Sequence, residues 1–286
     1  PLHGVGAETF IEVFKRARFA SPILVSEQVT PDPNFPTTPF PNPEESGSMD
    51  MALEYGKKNK ADVVIANDPD ADRCAIAVVN SQGLWQVLRG DEIGVLLGDY
   101  LIKKSTASNT AIANSLVSSS LLGKIANKHR LKFEETLTGF KWISKIDNLL
   151  FGYEEALGYC VDQKNVNDKD GISAALILVQ IVNELKANGQ SVFDYLEKLG
   201  SEYGFHRTDQ ISIRVTNLNE IDELLRRVTT TPPQTLLNNA LNSYENLSES
   251  KEVSFLNIGA NTGLYALLVG KKFPNTTITL FEPVPV

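Results

Sequence analysis

Cysteine is scarce in this 286-residue chain. Only Cys74 and Cys160 occur, which excludes a disulfide framework and a zinc-ribbon pattern and fits a reducing, cytoplasmic setting. Histidine is nearly as rare, and no spacing unites His3, His129 and His206. Positive charge is in deficit, 27 Lys and Arg against 35 Asp and Glu for a net charge of −8. That balance argues against nucleic acid or an anionic membrane as the main partner. Long hydrophobic runs are missing too. The most apolar stretch, Ile172 to Val182, is too short to span a bilayer, and the N-terminus lacks the charged and apolar regions of a signal peptide. There is no initiator Met. Pro1-Leu2-His3-Gly4-Val5-Gly6 reads as the end of a strand entering a glycine-rich turn, so the chain is expected to start inside a domain and to be a fragment.

What is present is ordinary globular material, 42% apolar and 22% charged, enough for two or three domains. One stretch stands out. Asn67-Asp68-Pro69-Asp70-Ala71-Asp72-Arg73 follows an apolar run, Ala61 to Ala66, that reads as a buried strand of a parallel sheet. Three carboxylates at alternating positions repel one another unless a cation sits among them, most simply a hard divalent ion taking oxygen ligands. Ligating side chains directly after a strand lie at the carboxyl edge of an α/β sheet, where such sheets bind ligands. A calcium EF-hand loop is excluded, because Arg73 and Val79 stand where Gly and Glu are required. A haloacid-dehalogenase loop is excluded as well, since no Gly-Thr pair follows the aspartates.

The pattern along the chain is α/β throughout. Helical spacing covers Ala7 to Arg18, and Pro22 to Val25 reads as a short strand. Six prolines between Thr30 and Ser48 predict a long loop, and Met49 to Lys60 a helix. Cys74 to Val79 and Leu84 to Leu88 form an expected hairpin around Ser81-Gln82-Gly83, and Asp91 to Ile102 an expected helix. After the polar segment Lys103 to Thr110, strands are expected near Thr110 to Ala113, Lys132 to Thr136 and Leu149 to Tyr153. Helices are expected over Ser119 to His129, after Gly139, and over Ile172 to Ala187 with Asp170 as its cap. Thr208 to Val215 alternates like a strand, and a short helix, Glu220 to Arg227, runs into the break at Pro232-Pro233. Beyond it, a helix over Gln234 to Leu247, strands over Val253 to Ile258 and Thr277 to Phe281, and a helix over Leu264 to Lys271 compose one βαβ unit.

The aspartate loop resembles the metal-binding loop of the α-D-phosphohexomutase superfamily, the phosphoglucomutases and phosphomannomutases. Three further stretches resemble that family in the proper order: Glu135 to Ile143, Tyr153 to Tyr159, and Lys169 to Ser173. The resemblance covers roughly Pro1 to Thr216. It implies two consecutive mutase-type α/β domains with mixed sheets, residues 1–104 with the metal loop and 105–207 with the sugar-recognition loop. The start of a further domain over 208–233 and a truncated βαβ unit over 234–286 would follow. It also implies an isomerase of the phosphotransferase type, in which a phosphoserine passes its phosphoryl group to one hydroxyl of a hexose or pentose phosphate and recovers another from the resulting sugar bisphosphate. Asp68, Asp70 and Asp72 would hold Mg²⁺, Arg73 would contact the same phosphate, and Lys141 would serve proton transfer or positioning. Glu154, Glu155, Thr138 and Gly139 would bind the sugar.

The chain departs from the family pattern in two places. Thr106-Ala107-Ser108-Asn109 imitates the phosphoserine loop but lacks its His and Pro and follows the metal loop, so Ser108 is not read as the phosphoserine. The closing phosphate-binding domain is represented only by its start, and this chain alone is expected to lack mutase activity. The C-terminal stretch Asn257 to Tyr265, with Phe281-Glu282-Pro283, resembles the opening of an FkbM-type S-adenosylmethionine methyltransferase, which would use Gly259, Gly263 and Glu282 at the cofactor. Two other readings therefore stand beside the mutase: a methyltransferase fusion, and a non-catalytic sugar-phosphate-binding module. Oligomeric state is not legible.

Overall fold

A computed structural model describes residues 1–206, 208–213, 217, 219–231, 234–236, 239–240, 264–268 and 280–281. The chain divides into two compact units, Pro1–Phe205 and His206–Val286. The first begins with α1 (Ala7–Arg16), in which Phe10 and Phe14 stack at 4.4 Å and bury one face, and α2 (Asp50–Asn59). The proline-rich segment between them is turn and coil, as its composition predicts. Three strands follow, β1 (Val63–Ala66), β2 (Ala75–Val79) and β3 (Trp85–Val87), the last two joined by the expected hairpin with Gly83 at φ 77°.

This first sheet departs from expectation. Its order is β1-β2-β3 and every pairing is antiparallel, so among the described residues β1 is an edge strand with no parallel neighbour. An apolar run announces burial, but burial alone does not choose the direction of the neighbouring strand. Pro22 to Val25, where a strand was expected, runs without turn, bend or strand pairing.

The second sheet is built from β4 (Ala111–Ser115), β5 (Lys132–Thr136), β6 (Leu149–Glu154) and β7 (Gly158–Cys160), with α3 (Gly90–Lys104) before it and α4 (Leu121–Lys128) and α5 (Phe140–Ile143) between its strands. The order is β5-β4-β6-β7, with β4 parallel to both neighbours and β7 antiparallel to β6. Helix α3 lies against β6 at close range because Gly90, Gly94 and Gly98 line one face. A β-carbon at Gly94 would stand 2.4 Å from the Tyr153 ring, and one at Gly98 would stand 2.5 Å from Leu122 and 3.1 Å from Phe151. Helix α6 (Gly171–Ala187) is capped as expected, the Asp170 carboxylate accepting from the N–H groups of Ile172 and Ser173. It packs on α1 and β1 and also on α3 and β7, so one apolar helix closes the cores of both sheets. Helix α7 (Val192–Tyr203) completes the unit, opened by a capping box between Ser191 and Asp194.

In the second unit β8 (Asp209–Ile213) and α8 (Asn219–Thr230) agree with the sequence pattern. Beyond them the expectations change. The stretch expected to begin a helix at Gln234 holds instead the paired strands β9 (Thr235–Leu236) and β10 (Asn239–Ala240). Leu264–Leu268, expected as helix, is strand β11, antiparallel to β8 and to β12 (Leu280–Phe281). A short apolar run does not distinguish helix from strand by periodicity, and here the cross-strand partner decides. Gly259, Gly263 and Glu282, the cofactor residues of the methyltransferase resemblance, lie outside the described residues, as does the strand expected over 253–258. No helix among the described residues is long and apolar enough to cross a membrane. Both cysteines are free, buried thiols.

Candidate functional site

The acidic loop leaves the end of β1 and closes on itself through hydrogen bonds its own sequence supplies. The Asp68 carboxylate accepts from the Arg73 N–H at 3.0 Å, the Asn67 amide donates to the Arg73 carbonyl at 2.6 Å, and Ala71 N–H donates to the Asp68 carbonyl at 3.0 Å. Ala71 turns through the left-handed region at φ 60° and is buried. Two other segments press on this turn. Val5 N–H donates to the Pro69 carbonyl and Gly171 N–H to the Ala71 carbonyl. A β-carbon at Gly4 would stand 2.2 Å from the Pro69 carbonyl oxygen, and one at Gly171 would stand 2.2 Å from the Arg73 carbonyl oxygen. Only glycine fits at either place.

Held this way, Asp68, Asp70 and Asp72 bring one carboxylate oxygen each to within 4.8 Å of one another. Burial, and after it the charges of Asp72 and Asp70, push the Asp68 carboxyl up to about 7 against the lowering effect of the Arg73 N–H. The Arg73 guanidinium stands 3.7 Å from Asp68 and 3.9 Å from Asp72, and the Lys169 ammonium reaches the other Asp72 oxygen at 2.5 Å. Asp72 Oδ1 is buried without a hydrogen-bond partner. Converging carboxylates, one with an orphaned oxygen, are the donor set a small hard cation takes, so the residues fit Mg²⁺.

The loop is tied to the segment that ends β6. Cys74 N–H donates to the Leu157 carbonyl at 3.1 Å, Arg73 and Gly158 form a single antiparallel bridge, and Asp170 N–H donates to the Tyr159 carbonyl. Glu154 accepts from Gly139 N–H at 2.6 Å, which fixes the turn at Gly139 (φ 106°) in front of α5. Burial raises the Glu154 carboxyl above the ordinary carboxylate range, while Gly139 N–H, Lys169 and Arg73 pull it back. Thr138 and Lys141 are exposed on either side of that turn, the Lys141 ammonium 5.8 Å from the centre of the Trp142 ring. The structure thus gathers the three aspartates, Arg73, Glu154 and Gly139 around loops bonded to one another.

Glu155 points elsewhere. Its carboxylate accepts from Ser115 Oγ at 2.8 Å and Ser118 Oγ at 3.0 Å, while its N–H donates to Ser118 Oγ. Consecutive residues leaving a strand face opposite ways, and the two carboxylates of this pair enter different hydrogen-bond networks. Burial and the nearby Asp91 charge push the Glu155 carboxyl up to about 7. Sequence reasoning also gave Lys169 no role, although it opens one of the matching stretches. Its signal was position alone, directly before the Asp170 cap. The imitation phosphoserine loop, Thr106 to Asn109, lies exposed between α3 and β4.

Residues 1–82 match the family model described as phosphoglucomutase/phosphomannomutase, alpha/beta/alpha domain II, and residues 89–203 match domain III of the same family. The chain belongs to the phosphoglucomutase/phosphomannomutase family. A probable phosphomannomutase of Haemophilus influenzae is 47% identical over 232 residues, covering 81% of this chain and 48% of that protein. A human phosphopentomutase is 41% identical over 224 residues, 72% of this chain and 36% of the relative. The chain therefore spans less than half the length of either of these phosphomutase-family relatives. In fold it is similar to the crystal structure of a putative phosphomannomutase from Thermus thermophilus, with a TM-score of 0.59 at 20% identity over 73% of this chain and 46% of that one. The aspartate loop falls in the domain II match, and Glu154, Gly139 and Lys169 fall in the domain III match.

Proposed function

We propose that this chain carries the cation-binding and sugar-recognition part of a mutase that moves a phosphoryl group between hydroxyls of a hexose or pentose phosphate. One observation carries the reading: the carboxylate loop and the segment after Glu154 are joined backbone to backbone, Cys74 to Leu157 and Arg73 to Gly158. The curated relatives act under names that include phosphomannomutase and phosphopentomutase, which supports a sugar phosphate as ligand.

Asp68, Asp70 and Asp72 hold Mg²⁺ in this reading, and the ion supplies neutralising charge at a phosphoryl group. Arg73 and Lys169 place two fixed cations beside the same carboxylates, positioned to bind phosphoryl oxygens. Glu154, an acceptor whose carboxyl is raised by burial and drawn part of the way back by Lys169 and Arg73, binds sugar hydroxyls, while Thr138 and Gly139 shape the same turn and Lys141 positions substrate or moves a proton. In the transfer itself the bond from phosphorus to the serine oxygen breaks, the bond to the sugar oxygen forms, and the sugar hydroxyl proton leaves to a base. The phosphoserine comes from outside the matched domains, and the chain by itself is expected to bind without turning over.

Calorimetry tests the reading. Mg²⁺ is expected to bind at millimolar concentration and Asp70→Asn to weaken it at least tenfold, while glucose 1,6-bisphosphate binds more tightly in the presence of Mg²⁺ and loses affinity with Glu154→Gln. Absence of Mg²⁺ binding to the unmodified chain sinks the metal assignment.

A further inference from the structure

The turn that joins β6 to β7 is strained. Glu154 and Gly158 are the last paired residues of the two strands, so the loop between them is Glu155-Ala156-Leu157. In a three-residue hairpin loop the last position takes the left-handed region, where glycine is favoured. Leu157 stands there instead, at φ 64°, with its side chain buried in the core. A leucine persists in that conformation only where its surroundings over-determine the turn. The same turn carries the join to the aspartate loop, because Cys74 N–H donates to the Leu157 carbonyl and Arg73 bridges to Gly158.

The restraint comes from Glu155. Its N–H donates to Ser118 Oγ at 3.1 Å, and its carboxylate accepts from the same hydroxyl at 3.0 Å and from Ser115 Oγ at 2.8 Å. Backbone and side chain of one residue are thereby both fastened to the segment that leaves β4, the strand with a parallel neighbour on each side. The two serines are tied to each other as well, Ser118 N–H donating to the Ser115 carbonyl at 2.9 Å and the hydroxyls standing 2.8 Å apart. From the other side the start of α3 closes on the same residue, where a β-carbon at Gly90 would stand 1.7 Å from the Glu155 carbonyl oxygen. Asp91, next along α3, accepts from Ser119 N–H and from the Tyr153 hydroxyl, which draws α3, the segment after β4 and the end of β6 together.

We infer that Glu155 is a positioning residue: gripped by Ser115 and Ser118, it fixes the 155–157 turn so that Glu154 faces the turn at Gly139 and the Leu157 carbonyl meets the aspartate loop. Glu155 contacts neither sugar nor cation in this assignment. Its effect on ligand binding rests on the mutase reading, whereas its effect on the Cys74 hydrogen bond rests on backbone geometry alone. A carboxamide oxygen accepts the same two hydroxyl hydrogen bonds, so the clamp needs an acceptor and not a charge.

Two measurements on the 286-residue chain test it: calorimetric affinity for glucose 1,6-bisphosphate in the presence of Mg²⁺, and hydrogen exchange of the Cys74 amide relative to that of Leu178, buried in α6, which cancels any change in global stability. Glu155→Ala is expected to weaken binding at least fivefold and to speed Cys74 exchange at least tenfold relative to Leu178. Ser118→Ala, which leaves Glu155 in place, should move both in the same direction by at least threefold. Glu155→Gln should return both to within twofold of the unmodified chain. Unchanged Cys74 exchange relative to Leu178 in both alanine variants overturns the inference, since Glu155 then supports overall stability only. A loss of affinity in Glu155→Gln as large as in Glu155→Ala overturns it too, because the carboxylate then acts on the ligand directly. If the unmodified chain binds no sugar bisphosphate, the mutase reading fails, and the Cys74 amide alone decides for or against the clamp.

Discussion

β4 has a strand on each side, β5 and β6, both parallel to it, and every residue in it is buried. β1, the strand that leads into the aspartate loop, has β2 on one side and no second strand among the described residues, and its residues alternate between buried and half-buried. The two sheets share α6, so the difference does not come from separate cores. It comes from how many backbone edges each strand has satisfied. Fixed packing sits in the second sheet, while the three candidate carboxylates and Arg73 sit on a loop that leaves the first sheet and docks on the segment after β6. Stability and ligand binding should therefore separate when the two sheets are perturbed one at a time.

The largest effect is expected from Phe151→Ala. Phe151 is fully buried at the centre of the second sheet, stacked on Tyr153 and pressed by α3. Loss of the ring should cost about 4 kcal/mol. Ile65→Ala in β1 removes a half-buried side chain and should cost no more than about 2 kcal/mol. Urea denaturation measures both, and equal losses would break the contrast. Overpacking comes next. Gly94→Val drives a branched side chain into the Tyr153 ring and should cost about 3 kcal/mol.

Much of this arrangement was legible in the residues, and the failures have a common cause. The loop Asn67 to Arg73, the hairpin at Gly83 and the Asp170 cap are local features whose chemistry is written in a few adjacent residues. Strand direction in β1 and the antiparallel strand at Leu264–Leu268 depend on partners far away in sequence, which a short apolar run does not name. The Glu154-Glu155 pair is a different case. Adjacent carboxylates look equivalent in a sequence, and only the serines at 115 and 118 reveal that the second belongs to another network.

That network yields a pH prediction. Glu155 holds its proton up to about pH 7 in the folded chain against an ordinary value of 4.5. Between those limits the folded state binds a proton that the unfolded state has released, so this group's contribution to stability falls as pH rises from about 4.5 to 7 and is constant beyond. Glu155→Gln keeps an acceptor for Ser115 and Ser118 and should flatten that slope, by up to about 1.4 kcal/mol per pH unit. It should leave glucose 1,6-bisphosphate affinity within twofold, whereas Glu154→Gln should lower the affinity and leave the slope. The opposite pattern would return Glu155 to the sugar.

The smallest effect tests whether charge or packing joins the two sheets through α6. Lys186 near the end of α6 pairs at 2.5 Å with Asp62, one residue before β1, and both side chains are more than half exposed. An exposed pair of this kind contributes about 0 to 1 kcal/mol, because water screens it and two long side chains must be held in place. Lys186→Met should therefore shift the urea midpoint by less than about 0.5 kcal/mol, with little change in 1 M salt. A larger, salt-sensitive loss would mean that α6 holds β1 electrostatically, and the apolar contacts of Val182 and Leu185 would no longer suffice to explain why one helix closes both cores.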